Sequence, residues 1–239
     1  MPQAPRFSAV IFDMDGLLLD SERPLLEAWL EAARQVGASF EPEHLRRALG
    51  RANGVAIFRA ALPETFQYEA VRDRALILMA ETQARGYAVK AGARNLLGRL
   101  RAAGVRCGVA SSTRRAQLLE RLERAGLSEF FRAVAGGDEV SRGKPEPDIF
   151  LLAAQRLEAD PLRCLVFEDS EHGARGAVAA GRQAVIVPDL TQPGDEARAF
   201  SFLVLDSLLD AEPHFEQWFG EPAMDHVPGR RSLRERAGE

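Results

Sequence analysis

The feature that most constrains the fold is a regular alternation of short apolar runs with amphipathic helical patterns. Runs rich in Val, Ile, Phe and Leu occur at residues 9–12, 105–110, 133–135, 164–167, 184–187 and 202–205. From Val105 onward, nearly every run is followed by apolar residues at helical spacing. This alternation predicts an α/β fold, in which a parallel sheet carries helices on both faces.

Hydroxyl and glycine residues mark where two of these helices should begin and end. Ser112 or Thr113 is expected to cap the helix after the second run, because a side-chain oxygen there can accept a hydrogen bond from a free backbone N–H. Ser170 is expected to cap the helix that follows residues 164–167 and runs to Gly181. Ligands of open parallel sheets bind beyond the carboxyl ends of the strands, so the residues after each run are the candidates for function.

A long stretch between the first run and the second has a different character. Residues 20–89 contain no convincing strand pattern, and their apolar residues predict helices at 24–36, 42–49, 54–61 and 64–85. We therefore expect a helical cap domain, residues 20–89, inserted into an α/β core domain formed by residues 1–19 and 90–220, with a polar tail at residues 221–239. Helices placed beyond a strand end can close over a site and exclude water.

Composition narrows the class of protein. The chain has 239 residues, of which 46% are hydrophobic and 28% are charged, which suits one large domain or a domain with an insert. No apolar run approaches the roughly 20 residues of a membrane helix, and the N-terminus lacks the apolar segment of a secretion signal, so we expect a cytoplasmic protein with no membrane partner. A net charge of −4 gives no reason to expect a nucleic acid partner, and nothing in the sequence argues against a monomer. Cys107 and Cys164 lie in apolar stretches without metal-binding spacing and are expected to be buried thiols.

Polar and charged residues stand at the points where three of the strands should end. They are Asp13 and Asp15 after the first run, Ser111 and Ser112 after the second, and Glu168 and Asp169 after the run at 164–167, with Lys144 between the last two groups. Because the carboxyl ends of parallel strands meet at one edge of a sheet, these side chains are expected to converge on one site.

The charges of this set predict what the site binds. Four carboxylates close together would repel one another unless a cation lies among them. Mg²⁺ is the expected cation, because the cluster offers oxygen ligands and contains no His or Cys. Lys144, the Ser111 hydroxyl and the amides of the turn after Asp13 suit a phosphoryl group. A carboxylate that attacks a phosphate dianion faces a repulsion of about 4 kcal/mol per charge pair at ~4 Å with an effective dielectric constant of ~20, so the metal and the lysine are both needed.

Four ordered motifs carry a family resemblance. They are DxDGxxxDS at residues 13–21, Ser111 after a strand, GKPEPDIF at 143–150 and FEDSEHG at 167–173. In this order they resemble the haloacid dehalogenase superfamily, in the branch with a helical cap that includes β-phosphoglucomutase and the phosphoglycolate phosphatase-like phosphatases. The resemblance runs from about Phe7 to Ser207 and implies a Rossmann-like core sheet.

The resemblance also implies a role for each residue of the set. Asp13 would be the nucleophile that forms an aspartyl phosphate, and Asp15 would protonate the leaving oxygen and then activate water. The implied ligands of Mg²⁺ are the carboxylates of Asp13 and Asp169 and the backbone carbonyl of Asp15, with Glu168 either a further ligand or a residue behind the ligands. The residues implied to hold the phosphoryl oxygens are Ser111 and Lys144, with Gly16 and Ser112 as further substrate contacts.

The acid at Asp15 favours phosphoryl transfer to or from oxygen over dehalogenation, which needs no proton donor. Mutases of this family hold a second phosphate with a basic residue of the cap, but that position is Asn53 here, with Arg51 two residues earlier. The sequence therefore favours a Mg²⁺-dependent phosphatase of a small phosphate ester, such as a sugar or polyol phosphate. A β-phosphoglucomutase-like mutase is the alternative, and both Arg51 and Asn53 are candidate substrate-binding residues. A receiver-type switch protein or a binding protein that keeps only the fold is more remote.

Overall fold

A six-stranded parallel sheet forms the centre of the protein. The computed structural model describes residues 6–51 and 53–220. The strands are β1 (Ala9–Phe12), β2 (Arg106–Ser111), β3 (Ala133–Gly136), β4 (Cys164–Glu168), β5 (Gln183–Ile186) and β6 (Leu203–Val204), in the order β3-β2-β1-β4-β5-β6. Each neighbouring pair is parallel, which confirms the predicted Rossmann-like α/β sheet.

Ten α-helices accompany the sheet in the described residues. They are α1 (Glu22–Val36), α2 (Pro42–Arg46), α3 (Gly54–Ala60), α4 (Tyr68–Arg85), α5 (Ala93–Ala102), α6 (Arg115–Arg124), α7 (Asp148–Arg156), α8 (Glu171–Ala179), α9 (Asp195–Phe200) and α10 (Phe215–Phe219). None of the helices in residues 6–51 and 53–220 is long and apolar enough to cross a membrane.

The central strand β1 explains how the candidate residues come together. Phe12 at its end is in register with Val109 of β2 on one side and Phe167 of β4 on the other. The residues that follow these three positions therefore emerge side by side at one edge of the sheet. All four side chains of β1 are fully buried, because helices cover both faces.

The core lies in two layers, one on each face of the sheet. Val10 and Phe12 belong to a cluster with Leu97 and Trp218 on one face. On the other face, Ile11 belongs to a cluster that includes Phe150 and Val166. The alternation of side chains along β1 thus anchors the strand in both layers, which fixes the position of the residues after it.

The four helices between β1 and α5 pack mainly against one another. Leu26, Leu45, Phe58 and Tyr68 form one of their buried clusters, and the ring of Trp29 lies edge-on to that of Phe58 at 5.1 Å between centroids. Two adjacent chain segments join these helices to the sheet, where the Asp20 N–H donates to Ala88 O and the Lys90 N–H donates to Leu18 O, both at 2.9 Å. The domain boundaries at residues 19/20 and 89/90 stay a prediction, and the predicted tail, residues 221–239, lies outside the described residues.

Several helix ends differ from those expected. The helix predicted at 64–85 begins at Tyr68, because residues 63–67 form turns closed by the Phe66 N–H to Pro63 O bond. Neither Ser112 nor Thr113 caps α6, which begins only at Arg115 and has its first N–H bonded to Asp138 Oδ1 at 2.8 Å. Ser170 does cap α8, accepting from the Gly173 N–H, although α8 ends at Ala179. Cys107 and Cys164 are buried free thiols, as predicted.

Candidate active site

The carboxyl ends of β1, β2 and β4 open onto a cavity of about 360 Å³. We call the side contributed by the strand ends and by the loop before α7 the floor, which consists of Asp13, Asp15, Ser111, Ser112, Thr113, Lys144, Glu168 and Asp169. We call the side contributed by the helical segment the roof, which consists of Leu25, Leu49, Gly50, Arg51, Leu76, Met79, Gln83 and Tyr87. The floor therefore brings together seven residues predicted from the strand ends and adds Thr113.

Lys144 joins two carboxylates of the floor. Its ammonium donates to Asp13 Oδ1, to Glu168 Oε1 at 2.5 Å and to the backbone carbonyl of Ala110 at 3.0 Å. The side chains of Lys144, Asp13 and Glu168 are all buried, with at most 7% of their surface exposed. The predicted convergence of residues 13, 144 and 168 at one edge is thus present in the structure.

Burial and mutual repulsion set the protonation of these carboxyls. Burial raises the pKa of Asp13 well above its usual range, and the charges of Glu168 and Asp15 add to this, while Lys144 opposes it. Burial, with the charges of Glu22 and Glu168, likewise raises the pKa of Asp169. Burial disfavours the ammonium of Lys144, but the charges of Asp13 and Glu168 outweigh it and raise its pKa. A cation beside Asp13 and Asp169 would therefore stabilise their charged forms.

Among the described residues, four side chains donate hydrogen bonds to Asp15. Its Oδ1 accepts from Ser21 Oγ at 2.8 Å and from the Arg121 guanidinium at 2.7 Å. Its Oδ2 accepts from Ser111 Oγ at 3.1 Å and from Thr113 Oγ1 at 2.7 Å. Sequence reasoning missed Thr113 and Arg121 as partners, since Thr113 reads as a helix cap and nothing in the helical spacing of α6 marks Arg121.

Gly16 shapes the floor without lining the cavity. It has φ +80°, a conformation that favours glycine, and a Cβ at this position would overlap the carboxylate of Asp169. The carboxyl of Glu22 lies on the same side, 3.5 Å from where that Cβ would be. Burial and the charges of Asp189, Asp15 and Glu168 raise the pKa of Glu22 to about 8. Gly16 therefore has a steric role beside Asp169, and its role as a substrate contact stays a prediction.

Glu168 faces Lys144 and the start of α8. Its Oε2 accepts from the Ser170 hydroxyl at 3.1 Å, and a Cβ on Gly173 would overlap its carboxylate. This explains why a glycine stands in the first turn of α8. Of the two roles predicted for Glu168, these contacts favour a place behind the metal ligands.

The donor set fits a magnesium ion held by few protein ligands. Within residues 6–51 and 53–220, no three His, Cys, Asp or Glu side chains are grouped closely enough to hold a metal ion by themselves. Mg²⁺ usually binds through one or two carboxylates, with waters and substrate phosphate oxygens completing its octahedron. Asp13 and Asp169 supply two such carboxylates, and their raised pKa values indicate that positive charge is in short supply there.

The remaining substrate-binding predictions separate into two groups. Arg51 and Ser112 line the cavity. Asn53 is exposed and is not among the described residues that line it. The structure therefore brings Arg51 to the site and leaves Asn53 outside it.

Comparisons with known proteins agree with this geometry. A family model described as haloacid dehalogenase-like hydrolase matches residues 7–181. The phosphorylated carbohydrates phosphatase of Thermotoga maritima is 33% identical over 179 residues, which are 74% of this chain and 83% of the relative. A probable pseudouridine-5'-phosphatase of Drosophila melanogaster is 36% identical over 225 residues, which are 89% of this chain and 94% of the relative.

A solved structure shares the whole architecture. It is a hydrolase of the HAD family from Deinococcus radiodurans with bound phosphate and sodium, and it is 30% identical to this chain. The superposition has a TM-score of 0.72 and covers 91% of this chain and 99% of the other. The likeness therefore includes both the sheet and the helical segment.

Proposed function

The chain belongs to the haloacid dehalogenase-like hydrolases, and from this premise we propose that it is a Mg²⁺-dependent phosphatase that works through an aspartyl phosphate on Asp13. It is a phosphoric monoester hydrolase, since its relatives are named phosphatases. The observation that carries the proposal is the Lys144 ammonium between Asp13 and Glu168 on the buried floor. A buried lysine beside the candidate nucleophile is placed to bind phosphoryl oxygens as their charge grows.

Asp13 attacks first. A carboxylate oxygen of Asp13 forms a bond to phosphorus while the bond from phosphorus to the ester oxygen breaks, which leaves the phosphoryl group on Asp13. Ser111 and Lys144 hold the phosphoryl oxygens during this transfer. The metal would be held by the carboxylates of Asp13 and Asp169 and the carbonyl of Asp15. When bound, Mg²⁺ supplies positive charge that offsets the repulsion between nucleophile and phosphate.

Asp15 moves the protons. It gives its proton to the departing ester oxygen, which leaves as an alcohol. It then takes a proton from a water molecule that attacks the phosphorus of the aspartyl phosphate, so that phosphate is released and the Asp13 carboxylate is restored. The carboxyl of Asp15 faces the same cavity as Asp13, which is the placement that both steps need.

The roof supports a small substrate of the sugar or polyol phosphate class. Its apolar residues, with Arg51, Gln83 and Tyr87, give a wall of mixed character around a cavity of about 360 Å³. Such a wall suits a molecule with hydroxyl groups and a short carbon frame. The name of the Thermotoga relative, a phosphorylated carbohydrates phosphatase, points to the same class.

A sugar-phosphate mutase is the second candidate, favoured by one observation. Arg51 lines the roof and is placed to hold a second phosphate. A mutase would return the phosphoryl group to another hydroxyl of the sugar, whereas a phosphatase passes it to water. Incubation with a panel of sugar phosphates separates the two, because only hydrolysis releases inorganic phosphate.

The test of the proposal uses p-nitrophenyl phosphate. We expect release of p-nitrophenol that requires Mg²⁺ and that is lost in Asp13→Asn, which keeps the size of the side chain but removes the nucleophilic charge. Release that persists without the metal, or in Asp13→Asn, would contradict the proposed chemistry. A panel of phosphorylated metabolites then identifies the substrate.

A further inference from the structure

Arg121 is the one charged donor among the four side chains that hold Asp15. It lies on α6 of the core, and its Nη1 donates to Asp15 Oδ1 at 2.7 Å and to Thr113 Oγ1 at 3.4 Å. Its side chain is 19% exposed and that of Asp15 is 24% exposed, so the pair is largely shielded from water. Charge-assisted hydrogen bonds are roughly twice as strong as neutral ones.

Tyr87 restrains the guanidinium from the other side. The Arg121 guanidinium carbon lies 5.1 Å from the centroid of the Tyr87 ring. Tyr87 belongs to the segment that returns from α4 to α5, so Arg121 is packed between the floor and the connection to the helical segment. A stacked guanidinium keeps fewer rotamers, which orders the donor that faces Asp15.

Each oxygen of Asp15 accepts from at least one hydroxyl, and Oδ1 also accepts from the charged Arg121. Oδ1 faces Arg121, whose N–H groups can only donate, so Oδ1 must remain an acceptor. Oδ2 faces the hydroxyls of Ser111 and Thr113, which can both donate and accept. Arg121 therefore fixes Oδ1 as an acceptor, while Oδ2 lies among hydroxyls that can accept as well as donate. When substrate binds, the Ser111 hydroxyl is needed for the phosphoryl oxygens. A larger share of the restraint on the Asp15 carboxyl then falls to Arg121.

We propose that Arg121 is a positioning residue that holds the Asp15 carboxyl against the leaving-group oxygen. The inference rests on the proposed function, because it gives Asp15 the part of proton donor. It predicts that removal of Arg121 slows phosphoryl transfer more for leaving groups that need a proton more. A general defect in folding or in phosphate binding would not depend on the leaving group.

The experiment compares a series of aryl phosphates of similar size, with p-nitrophenyl, phenyl and p-methoxyphenyl leaving groups of increasing basicity. The parameter is kcat/KM, which reports the first phosphoryl transfer when the phenol leaves irreversibly. In Arg121→Met, we expect kcat/KM for p-nitrophenyl phosphate to stay within about threefold of wild type, because this leaving group departs without a proton. For phenyl and p-methoxyphenyl phosphate we expect a fall of about tenfold to a hundredfold, typical of a misplaced general acid.

Two further variants complete the design. Arg121→Lys keeps the positive charge but has fewer N–H donors. Its kcat/KM values for phenyl and p-methoxyphenyl phosphate are expected to lie between those of wild type and Arg121→Met. Arg124→Met lies one turn along α6 and removes hydrogen bonds to the Gln83 and Ala84 carbonyls and an ion pair with Glu120, without touching Asp15. It is expected to show the wild-type dependence on the leaving group.

The outcomes are distinct. An equal loss for all three leaving groups in Arg121→Met, or no loss for any, overturns the positioning role. If thermal unfolding shows that Arg121→Met is not folded, the dependence of kcat/KM on the leaving group is measured in Arg121→Lys instead. The same criterion then applies. If the wild type has no Asp13-dependent turnover at all, the proposed function itself is wrong, which is a separate result.

Discussion

The floor and the roof of the cavity are built on different principles. Asp13, Asp15 and Lys144 of the floor have defined partners, as in the contacts of Lys144 with Asp13 and of Asp15 with Arg121. The roof instead presents apolar side chains from helices, of which Leu76 is 60% exposed. The floor is tied to the sheet and its two core layers, whereas the roof belongs to helices with their own small clusters.

This difference assigns the chemistry to the floor and the choice of substrate to the roof. A substitution in the floor should reduce turnover of every phosphate ester. A substitution in the roof should alter the ranking of substrates and leave the transfer step intact. Substitutions on the two sides of the cavity should therefore differ in their effects.

Lys144→Met should have the largest effect. It removes the ammonium between Asp13 and Glu168 and leaves two buried carboxyls facing each other without their common partner. We expect kcat for p-nitrophenyl phosphate to fall on the order of 10³-fold. We also expect the free energy of unfolding at neutral pH to fall by about 3–5 kcal/mol, measured by chemical denaturation.

The matched control for Lys144 lies two residues earlier. Arg142 forms an exposed ion pair with Asp148, and its side chain is 62% exposed. Arg142→Met should cost about 1 kcal/mol or less and leave kcat unchanged. If Lys144→Met keeps the wild-type kcat, the assignment of the chemistry to the floor is wrong.

Gly16→Ala tests the fit between the turn after Asp13 and Asp169. The new Cβ would overlap the Asp169 carboxylate and would sit at φ +80°. We expect a fall in kcat of about tenfold to a hundredfold, with a higher Mg²⁺ concentration needed for half-maximal rate.

Gly37→Ala separates strain from overlap. Gly37 has φ +76°, but a Cβ there would meet nothing within 4 Å. It should therefore lose about 1 kcal/mol of stability from backbone strain alone, with no change in Mg²⁺ dependence. Equal Mg²⁺ dependence in the two variants would show that the space beside Gly16 is irrelevant.

Glu22 provides a pH test at the edge of the floor. Its pKa in the folded protein is about 8, raised from the ordinary 4.5. The folded state therefore favours the protonated form, so the stability linked to Glu22 is fully present below about pH 4.5 and is lost as the pH rises towards 8. With a chelator present to remove metal ions, the free energy of unfolding should fall between pH 5 and pH 8 by about 2 kcal/mol less in Glu22→Gln than in wild type. Parallel stability curves for the two proteins would contradict the assigned shift.

Arg51→Met tests the roof and should have the smallest effect on the chemistry. We expect turnover of p-nitrophenyl phosphate to stay within about threefold, while KM values across a panel of sugar phosphates change by about tenfold for some members. Arg47→Met, which removes an exposed ion pair with Glu43, serves as the control. A uniform loss in Arg51→Met would move Arg51 from substrate choice to the reaction itself.

The sequence predicts the floor better than the roof for a physical reason. Strand alternation and parallel topology bring Asp13, Ser111 and Glu168 to one edge whatever the details of packing. The buried charges then require a cation, and Lys144 lies in the connection that reaches that edge. These inferences depend on the order of strands, which is a property of the topology, and on charge balance, which is a local property.

The contacts that the sequence did not predict depend on how helices dock. Arg121 reaches Asp15 across 106 residues only because α6 packs against β3, the neighbour of β2, and Tyr87 lies against the guanidinium. The family position predicts Asn53 at the site, but the residue is exposed at the start of α3 and does not line the cavity. Glu22 begins α1 two residues before the expected start, and its carboxyl lies beside Gly16 at the cavity. Such docking is a tertiary property that spacing and composition do not encode.

The most direct test of the account is to trap the phosphorylated enzyme. Wild-type protein with Mg²⁺ and substrate is quenched in acid during turnover and digested, and the phosphoryl group is located by mass spectrometry. We predict an acid-stable, base-labile acyl phosphate on Asp13, absent when Mg²⁺ is chelated and absent in Asp13→Asn. Turnover with no acyl phosphate at any quench time, or a phosphoryl group on any other residue, would contradict the central claim.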